Sequence, residues 1–128
     1  MERITEIFVV LENKPSMLGE MCSHLAEHGI NIEAIGVFHD TAKLCVQNQN
    51  INKALKLLGK LNYIADVRDV LKIDLENRPG ALADLTTRLG DEGINIEYCY
   101  GTLARKGDKV SVVMDVSDIA KAEKALKS

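Results

Sequence analysis

Residues 75–97 read LENRPGALADLTTRLGDEGINIE, and residues 11–33 read LENKPSMLGEMCSHLAEHGINIE. About half of the aligned positions are identical, which marks a structural unit used twice rather than a chance match. The identities gather at the two ends of the stretch, where the backbone must turn. A period this long, used only twice, describes two copies of one small domain and not a solenoid. Each copy with its flanks has about 60 residues, near the lower limit for an independent core. Two such cores invite further burial, against each other or against another chain.

Outward from the first block, residues 4–11 form a β-branched apolar run of strand length, ended by Asn13 and Pro15. The period then changes. Leu18, Met21, Cys22 and Leu25 recur at helical spacing, and Gly29 suits a left-handed residue past the helix end. Residues 30–38 and 42–46 read as a hairpin across a polar turn. Asn50 is placed to cap a second helix bearing Ile51, Ala54, Leu55, Leu58 and Leu61, and residues 63–67 read as a short fourth strand. The second block repeats this plan. Its strand is 69–75, its first helix carries Leu82, Leu85 and Leu89, and Gly93 closes that helix. A hairpin of 94–103 and 109–116 turns across residues 105–108. Ser117 is expected to cap a last helix with Ile119, Ala122, Ala125 and Leu126.

The expected architecture is therefore α+β: two tandem ferredoxin-like βαββαβ sandwiches, residues 1–68 and 69–128, each an antiparallel sheet with both helices on one face. The second has no residues left for a fourth strand of its own, so the bare edge of its first strand should be covered by the tandem arrangement or by a partner chain. Such a fold hosts many functions, so the function must be read from its corners.

At residues 77–82 the chain leaves a strand and enters a helix. Pro79 is expected to fix φ near the helix entry, and Gly80, lacking a Cβ, lets a ligand come close to its peptide. The amides beyond it sit at the positive end of the helix dipole and suit a small carboxylate, with a contribution of roughly 0.3–1 kcal/mol. Asn77 and Asn95 could add donors and acceptors for the two ends of a free amino acid. The same residues also make an ordinary turn and an ordinary helix-to-strand connection, and taken alone they leave both readings open.

The pattern ENRPGAL, then a helix, then GINIE resembles the ACT domain, an amino-acid-sensing regulatory module. Both halves of the chain carry it, so the whole resembles a free-standing tandem ACT protein. The resemblance implies side-by-side domains that continue one sheet, with a free amino acid in the seam. One site would then use Asn77, Pro79, Gly80, Ala81 and Leu82 with Asn31 and Ile32 on the facing strand. Its pseudo-symmetric counterpart would use Asn13, Pro15, Ser16, Met17 and Leu18 with Asn95 and Ile96. Ser16 stands where the second copy has Gly80, so the two sites are expected to be unequal. A Cβ there either crowds the ligand or costs about 1 kcal/mol if the backbone is left-handed; alternatively Ser16 caps its helix. Leu11 and Leu75 occupy a position where some ACT domains have His, which leans towards a small or apolar ligand.

Other chemistry finds little support. A net charge of −3 argues against nucleic-acid and anionic-membrane surfaces, and no apolar run reaches the ~18 residues of a membrane span. Cys22, Cys45 and Cys99 are isolated and lack metal spacing. His24 and His28 share a polar helix face, which reads as solvated surface rather than a metal site. Tyr98 and Tyr100 share one face of a strand but lack the basic, glycine-bearing pattern of an RNA-binding sheet. No catalytic set can be assembled, and no cofactor or metal is expected. The expectation is a cytoplasmic, non-catalytic regulatory protein that forms a homodimer and acts on a biosynthetic enzyme. The alternative is a protein-interaction module, a regulatory subunit with vestigial ligand sites.

Overall fold

The computed structural model describes residues 1–102 and 109–127. Among them are six strands: β1 (Glu2–Val10), β2 (Ala34–Phe38), β3 (Thr41–Cys45), β4 (Ala65–Leu75), β5 (Ile96–Gly101) and β6 (Val110–Val116). Four α-helices join them: α1 (Met17–Glu27), α2 (Ile51–Lys60), α3 (Ala81–Asp91) and α4 (Ile119–Lys127). The chain divides into two compact units, Thr5–Arg68 on the one hand and Met1–Ile4 with Asp69–Ser128 on the other.

In the unit Thr5–Arg68 the strands run β2-β3-β1, all antiparallel, with Ile7 opposite Leu44 and Ile35 opposite that same leucine on its other side. At the start of β4, the Ile64 carbonyl accepts a bond from Val10 N–H at 2.9 Å. Alternate residues Ile7, Val9, Ala42 and Leu44 face one way and pack with Met21, Leu25, Ala54, Leu57 and Leu58 of the two helices. Both helices therefore cover the same sheet face. Each fully buried Leu among them contributes roughly 1.5–3 kcal/mol by leaving water. On the other face Glu6 is fully buried, and the Arg68 guanidinium carbon lies 4.9 Å from the Phe8 ring centroid.

In the other unit the strands run β4-β6-β5, with Leu71 opposite Met114 and Cys99 opposite that methionine from β5. Leu71, Ile73, Leu85, Leu89, Val112, Met114 and Ala122 form its core. The edge of β4 is covered from within the chain, one of the two ways the sequence left open. The first residues of β1 lie along it: Lys72 Nζ is 3.8 Å from Glu2, and Arg3 pairs with Asp69 and with Glu123 of α4. The strand expected at 63–67 and the one expected at 69–75 are also a single strand, β4. The charges of Asp66, Arg68 and Asp69 look like a break in sequence, but no proline or glycine interrupts the pleat.

Three helix ends share one solution. Gly29 (φ 71°), Asn62 (φ 68°) and Gly93 (φ 72°) are left-handed residues just past α1, α2 and α3. After each, the next amide reaches back into the last turn: Ile30 to Leu25, Tyr63 to Leu58 and Ile94 to Leu89, at 2.9, 2.9 and 3.0 Å. These are Schellman closures. Two caps differ from expectation. Asn50 stands at the entry to α2 but makes no side-chain cap bond, because a 3₁₀ turn over Asn48–Asn50 leads into the helix. Asp118, not Ser117, caps α4, accepting from Lys121 N–H at 3.0 Å, while Ser117 Oγ accepts from Asn95 N–H at 2.9 Å. The expected turn at residues 105–108 lies outside the described residues.

Candidate functional site

The two strand-to-helix corners have the same backbone. Lys14 N–H meets the Glu12 carbonyl at 3.0 Å, and Arg78 N–H meets the Glu76 carbonyl at 2.9 Å. Next, Met17 N–H reaches Lys14 O at 3.4 Å and Ala81 N–H reaches Arg78 O at 3.3 Å. Each is a four-residue turn with proline second and a left-handed residue third: Ser16 at φ 76°, ψ −17°, and Gly80 at φ 90°, ψ −13°. That is a type II turn, in which the third position favours glycine. Pro79 thus fixes φ in the turn directly before the helix, near the entry where the sequence placed it. Ser16 adopts the strained conformation and makes no side-chain cap bond, so the capping alternative falls.

The helices begin directly after these turns. Glu20 N–H and Asp84 N–H close the first helical bonds onto Ser16 and Gly80 carbonyls at 2.9 and 2.8 Å. The second and third amides of each helix, on Leu18 and Gly19 and on Leu82 and Ala83, precede the intrahelical ladder. Neither helix has a side-chain cap there. Among the described residues no acceptor outside the helices meets them, and they lie at the positive end of the dipole.

The side chains of the corners arrange themselves in a way the hydrophobic pattern did not indicate. Leu18 and Leu82, expected on the buried stripes, are exposed at 38% and 47%. The inward line of α1 is half-buried Met17 with Met21 and Leu25, and that of α3 is Ala81, Leu85 and Leu89. Each corner therefore sets an exposed leucine beside its unpaired amides. Arg78 spans the second corner, donating to Glu76 at 3.1 Å, to Asp84 at 3.1 Å and to the Pro79 carbonyl at 3.3 Å. Those bonds, to Asp84 first and Glu76 next, raise the guanidinium pKa above its usual value. At the first corner Lys14 pairs with Glu12 at 3.0 Å. These charged groups were missed in the sequence. Their repetition as Glu12, Lys14 and Glu20 and as Glu76, Arg78 and Asp84 was the available signal.

Asn13, Asn31, Asn77 and Asn95 are all exposed. Asn31 precedes β2 rather than lying in it, because that strand begins at Ala34. Asn95 is held by Ser117 through both its N–H and its carbonyl, and its Nδ2 donates to Glu97 at 3.2 Å. Ile32 and Ile96 are half-buried against the core of their own unit, which leaves the neighbouring asparagines as the accessible polar groups. Two clefts of about 280 and 240 Å³ occur elsewhere, lined by Arg88, Asp91, Glu92 and Ala125 and by Met1, Glu2, Lys72 and Asp74. No corner residue lines either one.

The remaining candidates gain nothing. Among the described residues no group of three His, Cys, Asp or Glu side chains is arranged to hold a metal, and no helix is long and apolar enough to cross a membrane. Burial pushes the Cys99 thiol above its ordinary pKa, the opposite of an activated nucleophile.

Residues 70–128 match the family model of the ACT domain. Residues 70–128 belong to the ACT domain family. The match spans the corner at Gly80 and Asn95, the residue before β5. Protein BT0572 from Bacteroides thetaiotaomicron is 30% identical, with a TM-score of 0.87 over 98% of this chain and 87% of that one. The ligand-free regulatory subunit of aspartate kinase from Thermus thermophilus is 20% identical, with a TM-score of 0.72 over 98% and 90% of the two chains. Its counterpart from Thermus flavus is 21% identical at the same TM-score, over 99% and 90%. At that identity the two kinase subunits speak to the fold of this chain alone. A comparison with curated protein sequences gave no match.

Proposed function

We propose that this chain is a non-catalytic regulatory protein of two tandem ACT domains, residues 1–68 and 69–128, that binds a free amino acid between ACT domains. The observation that carries the reading is the pair of equivalent corners, each a type II turn that leaves two helix-start amides unpaired beside an exposed leucine. The amides suit a carboxylate, an asparagine side-chain oxygen on the facing wall suits an ammonium, and Leu82 suits a small apolar side chain. A zwitterion meets all three. The corner is open, so a second wall is required, and Asn31 of a neighbouring ACT domain supplies it in this reading. The other corner, Asn13 to Leu18, faces Asn95 in the same way. The Gly80 corner is the stronger site, because its backbone carries no left-handed strain.

Ligand binding that requires the docked arrangement favours it by about 2.7 kcal/mol at a hundredfold excess over Kd. A shift of that size reorganises a small interface, and a biosynthetic enzyme of amino-acid metabolism is the partner that reads it. The protein acts in the cytoplasm as a homodimer. A thermal-shift screen against the twenty amino acids tests the reading. One chemical class should raise Tm reproducibly, and Gly80→Val should abolish the rise. A flat screen with tight capture of a partner protein would favour the interaction-module alternative.

A further inference from the structure

The end of α1 remote from the Ser16 corner carries His24 and, as its C-terminal cap, His28. Residues four apart on a helix stand roughly 5–6 Å from each other at Cβ, a spacing from which two imidazoles reach one metal ion. His24 is half-buried and His28 exposed, so the pair lies at the surface. The structure adds a bond that spacing alone does not give. His28 Nδ1 lies 2.9 Å from the His24 carbonyl oxygen. A carbonyl only accepts, so Nδ1 carries the hydrogen, and in the neutral ring the lone pair is on Nε2. Metal-binding imidazoles are held in this way, one nitrogen donating to a backbone oxygen and the other ligating. We propose that His24 and His28 chelate one divalent transition-metal ion, Zn²⁺, Ni²⁺ or Co²⁺, with water in its remaining positions.

With Glu27 the two residues follow the order His-x-x-Glu-His, which holds zinc in one class of metallopeptidases. Catalytic zinc sites add a third protein ligand. Among the described residues no group of three is arranged to hold a metal, so the geometry supports binding and not hydrolysis. Imidazole nitrogen suits these ions, whereas Mg²⁺ and Ca²⁺ take oxygen ligands. Exposed Glu20 and Glu27 on the same helix add negative charge that favours a dication there. The bond to the His24 carbonyl also closes the helix end, as a terminal histidine does without any metal. The spacing, the fixed tautomer and the nearby carboxylates together turn that cap into a chelate. The ion bridges the last turn of α1 only when the helix is formed, so its binding should raise Tm. The site is independent of amino-acid binding at the corners.

Isothermal titration calorimetry of the reduced full chain with NiCl₂, CoCl₂ and MgCl₂ in a non-chelating buffer tests the proposal, with Tm read in parallel. One Ni²⁺ should bind per chain, more tightly than Co²⁺ in the usual order for such ligands, and Mg²⁺ should give no heat. His24→Ala and His28→Ala should each weaken Ni²⁺ by about tenfold or more and remove the metal-dependent rise in Tm. His39→Ala, in the turn between β2 and β3, should change neither. Circular dichroism confirms that each variant is folded. Should a histidine variant fail to fold, the wild type decides alone: Ni²⁺ should broaden ¹H–¹⁵N resonances most at residues 24–28. No binding at millimolar metal, an affinity indifferent to both histidine changes, or broadening centred elsewhere overturns the proposal. A metal response lost with His24 or His28 while every amino acid leaves Tm unchanged would uphold this site and sink the sensor reading.

Discussion

Gly80 and Ser16 hold equivalent positions with the same left-handed backbone and different side chains, so exchanging them isolates one physical term. A Cβ built on Gly80 would come no closer than 3.6 Å to Arg78 Nη1, ordinary van der Waals contact with the end of a flexible side chain. Sterics against the rest of the protein therefore contribute little. What remains is the left-handed penalty of about 1–2 kcal/mol for an L-residue, less about 0.4–1 kcal/mol regained because alanine has fewer unfolded conformations than glycine. Gly80→Ala should thus lose about 1 kcal/mol, and Ser16→Gly should gain somewhat less by the same sum reversed. Urea unfolding at constant slope reads both as opposite displacements of the midpoint, and Tm should move by about 3–6 °C in each direction. Unchanged stability in both variants, or a more stable Gly80→Ala, would refute the left-handed corner and with it the two unpaired amides that depend on that geometry.

Leu82 and Leu85 lie on one helix but differ in burial, 47% against 6% exposed. Leu85→Ala should cost about 2–5 kcal/mol and Leu82→Ala less than about 0.5, read by the same unfolding assay. Asp118→Ala removes the cap that meets Lys121 N–H and should cost about 1 kcal/mol, whereas Ser117→Ala should leave α4 intact by hydrogen exchange. The Ser111 hydroxyl donates to Asp74 at 2.6 Å and holds that carboxyl below its ordinary pKa. The folded pKa being the lower one, this contribution is present above the unfolded pKa of about 3.9 and fades as pH falls through the folded value. Ser111→Ala should therefore raise the Asp74 pKa by NMR titration and narrow the loss of stability on acidification. Cys99, with its pKa raised by burial, should react with iodoacetamide more slowly than an unfolded-chain thiol at mildly alkaline pH, and urea should abolish the difference.

The repeat itself made much of this fold legible. Gly29 and Gly93 marked two helix ends, and the leucine spacing placed α1 and α3 within a residue or two. The errors have local causes. In α1, Leu18 fits an apolar stripe with Met21, Cys22 and Leu25, but Met17, Met21 and Leu25 form a second stripe one residue away, and the turn at Ser16 selects it. In α3 the inward residue is Ala81, too small to stand out beside Leu82. The use of Met1–Ile4 beside β4 was illegible because Glu2 and Arg3 look like a solvated terminus, while their ion pairs with Lys72, Asp69 and Glu123 appear only in three dimensions. At the candidate site the sequence located the corners and named Gly80 correctly as the less strained position. It did not reveal that Ile32 and Ile96 belong to the cores of their own units, because strand alternation does not tell which face is covered.

The account rests on helix-start amides that receive a carboxylate. Two-dimensional ¹H–¹⁵N NMR of the full chain, titrated with each amino acid to millimolar concentration, addresses them directly. One chemical class should move the Leu82 and Ala83 amide resonances most, with smaller changes at Leu18 and Gly19. Resonances that stay fixed at all four amides for every amino acid, or that move only at residues remote from both corners, would contradict it.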